Sequence, residues 1–166
     1  MPPPYRVLFV CMGNICRSPM AASVLRSKVR DGGLDGRVEV DSCGTGGWHV
    51  GDPADPRARA ALLRRGYDDG HRARQVERGD MLRFDLVLAM DRDNEDELRH
   101  LARGDYGAQT RIRLLRSFDP LAALDDLEIP DPFYGDDEAF ERVLDMVERA
   151  TEGVLAHARA AVTGGE

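Results

Sequence analysis

Tyr5-Arg6-Val7-Leu8-Phe9-Val10-Cys11-Met12-Gly13-Asn14-Ile15-Cys16-Arg17-Ser18-Pro19 is the stretch on which the fold turns. Tyr5 to Val10 reads as a buried strand, a short apolar run closed by a turn signal. Ser18-Pro19 reads as a helix start: serine is a favoured N-cap, and a proline at the first helical position forfeits no hydrogen bond. Met20, Val24, Leu25 and Val29 then form one apolar face, and Gly32-Gly33 ends the helix.

The alternation continues outward. Val38 to Ser42 reads as a second strand, followed by a glycine-rich loop from Gly44 to Gly51 that carries Trp48. Asp55-Pro56 repeats the pairing of cap and proline and opens a helix through Ala58, Ala61 and Leu62 that Gly66 closes. Asp85 to Met90 reads as a third strand. In the helix after it, Asp91, Asp93, Glu95 and Asp96 precede Arg99, His100 and Arg103, the order that complements a helix dipole. Arg111 to Leu115 reads as a fourth strand. Ser117 to Asp136 has little periodicity, and a loop of that length inside a domain is functional or disordered. The last helix carries Phe140, Val143, Leu144, Val147, Val154, Leu155 and Ala158 on one face, with a frayed tail expected from Thr163. The expected fold is α/β, a four-stranded parallel sheet flanked by helices on both faces, as a single domain spanning 1–166 with its core at about 5–160. Ligands of such sheets bind at the carboxyl ends of the strands, which is where Cys11 falls.

Composition narrows the function classes. At 166 residues and 42% apolar the chain suits one domain with a sizeable core. A net charge of −7 argues against a nonspecific grip on nucleic acid or an anionic membrane, though not against a small anionic ligand. No apolar run approaches the length of a membrane helix, and Met1 to Val10 lacks a signal-peptide hydrophobic region. Cys11, Cys16 and Cys43 are too few and too clustered for a secreted disulfide framework, so a reducing cytoplasm is expected, with unconventional export left open. His49, His71, His100 and His157 show no ligand spacing with these cysteines, so no metal and no cofactor are expected. Lys28 is the one lysine among 23 basic residues, a skew that reads first as codon bias in a GC-rich genome.

The segment Cys11 to Ser18 carries the chemistry. Backbone N–H groups in a loop between a strand and a helix N-terminus converge on an anion, and the helix dipole adds positive charge, so a tetrahedral dianion fits there. The same field favours a thiolate and makes Cys11 a nucleophile. Arg17, separated from Cys11 by five residues, can close the loop with a planar fork that binds two oxygens at once.

Cys11-Met12-Gly13-Asn14-Ile15-Cys16-Arg17-Ser18 resembles the C-x5-R-S phosphate-binding loop of the low-molecular-weight protein tyrosine phosphatases. The resemblance covers almost the whole chain: Val40-Asp41-Ser42, Gly51-Asp52-Pro53, His71-x-Ala73-Arg74-Gln75, Met90-Asp91 and Asp131-Pro132-Phe133-Tyr134-Gly135 follow in the family's order. It implies a flavodoxin-like phosphatase fold and hydrolysis of phosphotyrosine or aryl phosphates through a phosphocysteine on Cys11. Met12, Gly13, Asn14, Ile15, Cys16, Arg17 and Ser18 would bind the phosphoryl group. Asp131, which Pro130 and Pro132 alone single out only weakly, becomes the general acid and base. The implied partners are phosphotyrosine proteins, with inorganic phosphate as product and inhibitor, and weak self-association stays open.

The resemblance also assigns walls and supports. Trp48, Phe133 and Tyr134 would line the substrate slot; for Trp48 a core position is the competing reading, which the flanking glycines disfavour. Tyr134 is in addition a candidate for phosphorylation. Asn14, Ser18, Ser42 and His71 would support the loop and the sulfur, although His71 reads equally as a satisfied polar residue with no catalytic part. Asp91 would cap a helix or support Arg17. Cys16 is either a packed small residue or a second thiol able to trap an oxidised Cys11 as a disulfide, and Cys43 reads as structural. Competing activities are an arsenate reductase, which lacks here any cysteine after Cys43 for its relay, and a phosphoarginine phosphatase, which Ile15 in place of threonine disfavours. A phosphotyrosine-binding module without turnover is the alternative outside the enzymes.

Overall fold

Four short apolar runs form the sheet of the computed structural model, which describes residues 2–164. β1 (Tyr5–Cys11), β2 (Val38–Gly44), β3 (Leu86–Ala89) and β4 (Ile112–Leu114) lie parallel in the order β2-β1-β3-β4. The first strand is central, and its last residue, Cys11, pairs with Gly44. Around the sheet lie α1 (Arg17–Asp31), α2 (Pro56–Arg64), α3 (Asp80–Arg83), α4 (Arg92–Leu101), α5 (Tyr106–Arg111) and α6 (Asp137–Thr163).

Alternation along β1 decides which helix packs where. Val7 and Phe9 face the layer built from α1, α2 and α6, while Leu8 and Val10 face the layer of α3, α4 and α5. Both faces of the strand are buried from Val7 to Cys11, which is why that part of its sequence is apolar. Cys43 lies fully buried in the second layer.

Aspartates begin most of the helices. Asp55, Asp91, Asp105 and Asp136 each accept a hydrogen bond from a backbone N–H in the first turn that follows. The expected Ser18 cap is corrected: α1 starts earlier, with Cys16 in the cap position and no side-chain cap bond. The Ser18 hydroxyl faces Cys11 instead, and Pro19 still falls within the first turn, where no intrahelical donor is lost. The helices α3 and α5, of four and six residues, had no counterpart in the sequence reading because neither is long enough to show a helical period. The fourth strand is shorter than expected, since Arg111 ends α5 and Leu115 opens a 3-10 turn to Phe118. Thr163, where a frayed tail was expected to begin, is still helical; residues 165 and 166 of that tail lie outside the described residues.

The long segment after β4 is anchored rather than loose. Ile129 is fully buried and its N–H donates to Met90 O at 2.8 Å. The nearly buried Arg116 guanidinium donates to Glu128 O at 3.0 Å. These contacts carry Asp131 to the carboxyl edge of the sheet, beside the end of β1.

Candidate active site

β1 ends in Cys11 and the chain then turns tightly into α1. At the turn Asn14 has a φ of 58°, the one positive value at a non-glycine residue among the described residues. Asparagine tolerates that conformation and its amide ties the loop down. Asn14 Nδ2 donates to Ser18 Oγ at 2.8 Å and to Ser42 Oγ at 3.0 Å, and its Oδ1 accepts from Arg74 N–H at 2.9 Å. His71 Nε2 lies 2.6 Å from Asn14 O. Burial pushes the His71 imidazole below its usual range, against the pull of that hydrogen bond, so the neutral ring with its proton on Nε2 is the form that donates there.

The Cys11 sulfur sits inside this frame. Ser18 Oγ lies 2.9 Å from Sγ, and Asn14 N–H donates to Sγ at 3.2 Å. The backbone N–H groups of Met12, Gly13, Ile15 and Cys16 have no acceptor among the described residues. With Cys11 and Arg17, these four residues line a cavity of about 260 Å³, so unpartnered donors border the space where an anion would sit. Gly44 permits the close approach: a Cβ there would fall 2.7 Å from Met12 O.

Arg17 is 2% exposed and anchored through one of its nitrogens. Its Nη1 donates to Asp91 Oδ2 at 2.6 Å and to Ile129 O at 2.9 Å, and its Nη2 stands 3.8 Å from Asp131 Oδ2. Burial works against this cation, but Cys11 and Asp91 outweigh it and raise its pKa. Asp91 does both things expected of it, capping α4 through Asn94 N–H and holding the guanidinium.

The cavity walls come from distant segments. Trp48, His49, Asp131, Phe133 and Tyr134 complete the lining together with Cys16. Trp48 is 74% exposed and Tyr134 is 93% exposed, so both are rim residues, and Phe133 meets Tyr134 edge to face at 4.9 Å. Asp131 accepts from Phe133 N–H at 3.1 Å. Cys16 is buried beside the cavity, and burial, reinforced by Asp55 and Cys11, pushes its thiol well above the usual range. Among the described residues no cluster of potential metal ligands occurs.

Two arginines had no role assigned by the sequence reading, although Arg74 falls in a stretch that carries the resemblance. Arg57 pairs with Asp55 and donates to Phe133 O at 2.9 Å and Gly135 O at 3.0 Å, clamping the loop that bears Asp131. Asp55 N–H in turn donates to Ile15 O at 2.8 Å, so one short segment touches both catalytic-side loops. Arg74 bridges Asp41 and Asp80 while its backbone holds Asn14. In a chain with 22 arginines, composition offered no means of singling out either one.

Comparison with known proteins agrees with this construction. A low molecular weight protein-tyrosine-phosphatase from Streptomyces coelicolor is 52% identical over 160 residues, covering 96% of this chain and 97% of its own. The crystal structure of a protein tyrosine phosphatase from Entamoeba histolytica superposes with a TM-score of 0.89 at 34% identity, covering 95% and 98%. A Drosophila arginine phosphatase structure superposes with a TM-score of 0.83 at 33% identity, covering 91% and 96%, so the fold is shared beyond tyrosine phosphatases. The family model for low molecular weight phosphotyrosine protein phosphatases matches residues 6–163, and with the loop, the sheet order and these relatives in agreement, the chain belongs to that family.

Proposed function

We propose that this chain is a protein tyrosine phosphatase that works through a phosphocysteine. The observation that carries the reading is the placement of Cys11 Sγ, held by Ser18 Oγ at 2.9 Å and Asn14 N–H at 3.2 Å, in a cavity that Arg17 and Asp131 both line. In the first step the Cys11 thiolate attacks phosphorus, the S–P bond forms and the P–O bond to the phenol breaks. The Asp131 carboxyl gives its proton to the departing oxygen, which turns a poor leaving group into a neutral phenol. In the second step the Asp131 carboxylate takes a proton from water, whose oxygen attacks phosphorus. The S–P bond breaks, and Ser18 Oγ–H and Asn14 N–H receive the returning thiolate. Throughout, Arg17 and the loop N–H groups bear the charge on the phosphoryl oxygens.

Asn14, Ser42 and His71 are positioning residues in this scheme, and Trp48, Phe133 and Tyr134 grip the phenyl ring. Ile15 supports phosphotyrosine over phosphoarginine, and the lack of any cysteine after Cys43 weighs against an arsenate reductase relay. Cys16, buried beside the same cavity, would condense with the sulfenic acid that peroxide forms on Cys11, releasing water and giving a disulfide. No helix among the described residues is long and apolar enough to cross a membrane, and the proposed setting is the cytoplasm, with phosphotyrosine proteins as substrates, inorganic phosphate as competing product and weak self-association.

The test is hydrolysis of an aryl phosphate in the presence of a chelator, with phosphotyrosine, phosphoarginine and arsenate compared under the same conditions. Turnover of the aryl phosphate and phosphotyrosine, loss of activity in Cys11→Ser and a fall in kcat of about 10²- to 10⁴-fold in Asp131→Asn are expected. Full activity in Cys11→Ser would overturn the mechanism. Binding of phosphotyrosine without turnover would leave only the recognition module.

A further inference from the structure

Outside the catalytic cavity, one groove combines unpaired charge with an aromatic wall. It is lined by Met12, Thr45, Gly46 and Trp48 on one side and by Asp93, Asn94, Asp96 and Glu97 of α4 on the other, with a volume of about 500 Å³. Met12 and Trp48 line the catalytic cavity as well, so the groove begins where the substrate slot ends.

Its charges are free to act on a ligand. Arg92 and Arg99, the cations of the same helix, both pair with Glu95. Among the described residues no basic side chain pairs with Asp93, Asp96 or Glu97, and all three are exposed. Between these charges Asn94 borders the groove at 3% exposure, and its Oδ1, buried beneath the surface, accepts no hydrogen bond. A buried amide oxygen without a donor is uncommon enough to ask for one. Trp48 packs against Gly46, where a Cβ would fall 1.7 Å from its ring, and leaves most of its surface open.

We propose that this groove is a subsite for a basic side chain flanking the phosphotyrosine of a protein substrate. The inference rests on the phosphatase reading and adds the substrate class to it. An arginine or lysine stem would run over Met12 and the Trp48 ring, where a cation is attracted to the aromatic face. Its head would meet the carboxylates of Asp93, Asp96 and Glu97. The anionic phosphoryl group and the cationic flank thus enter neighbouring sites of opposite sign, divided by Met12 and Trp48.

The experiment measures kcat/KM on phosphotyrosine peptides carrying one arginine in turn at each flanking position, relative to the same peptide with alanine, with an aryl phosphate alongside. A preference of about tenfold at one flanking position is expected, from an exposed ion pair joined to a cation–π contact. Asp93→Asn/Glu97→Gln should bring that ratio close to one. Asp31→Asn/Asp35→Asn, the same charge change at the opposite end of the strands, should keep the native ratio. Equal rates on all peptides while the aryl phosphate is hydrolysed would overturn the subsite and leave the phosphatase reading intact. Loss of the preference in both double variants would assign it to the general field of the molecule and overturn the subsite too. Failure to hydrolyse the aryl phosphate would bring down the phosphatase reading, and the subsite with it.

Discussion

Asn14 concentrates three demands in one residue. Its φ of 58° turns the chain, its N–H reaches the sulfur, and its amide joins Ser18, Ser42 and the backbone of Arg74. Asn14→Ala keeps the N–H but takes one donor from the Ser18 hydroxyl and leaves the buried Ser42 hydroxyl and the Arg74 N–H without the Asn14 amide. A loss of about 1–3 kcal/mol in stability is expected, read from the denaturant midpoint. The same variant should lower kcat on an aryl phosphate, because Ser18 Oγ would no longer be fixed beside Cys11. An unchanged kcat with lowered stability would restrict Asn14 to a structural part.

At the scale of elements, the phosphate loop and the Asp131 loop are separate segments joined through the start of α2. Arg57 makes that joint by donating to Phe133 O and Gly135 O while held by Asp55. Arg57→Ala should free the acid loop and lower kcat more than it changes KM for a small aryl phosphate, since Arg57 does not line the cavity. Arg57→Lys should rescue it poorly, because one ammonium cannot reproduce the planar fork between two carbonyls and a carboxylate. The other support runs from α3. Asp80 accepts from Arg74, Arg83 and Glu77 N–H, and although burial pushes its carboxyl up, those hydrogen bonds outweigh it and hold its pKa below the usual range. A depressed carboxylate stabilises the fold above its unfolded value of about 4 and loses that contribution as pH falls through the lower folded value. Asp80→Asn should therefore lower the unfolding midpoint at neutral pH and flatten the decline in stability below about pH 4.

Over the whole molecule the net charge of −7 would repel a dianion, yet the proposed binding field is local. Arg17 is buried and the loop donors are fixed dipoles, so sodium chloride screens them little. KM for a small aryl phosphate is expected to change less than about twofold between low and moderate salt, a range over which exposed charges lose most of their reach. A steep rise in KM would move the decisive charges to the surface. Any preference for basic peptides should fade over the same range, because the carboxylates of α4 are exposed.

Much of this was legible in one dimension. The short apolar runs of the strands, the pairings of a cap residue with proline, and the octapeptide from Cys11 to Ser18 are local signals. They specified a parallel α/β sheet, the nucleophile and the arginine beside it, because each is carried by neighbours in the chain. Asp131 was singled out only weakly by its prolines and needed the resemblance. Ser18 was misread as a cap because sequence shows that a serine suits a helix start, not that a sulfur competes for its hydroxyl. The short helices α3 and α5 owe their form to packing on the sheet rather than to any period of their own. Only the tertiary structure brought Arg57 to the acid loop and Arg74 to Asn14, and it alone set Asp93, Asp96 and Glu97 beside Trp48. Those contacts join residues from separate elements, and long-range meetings follow from how layers close on the sheet, which no window of sequence encodes.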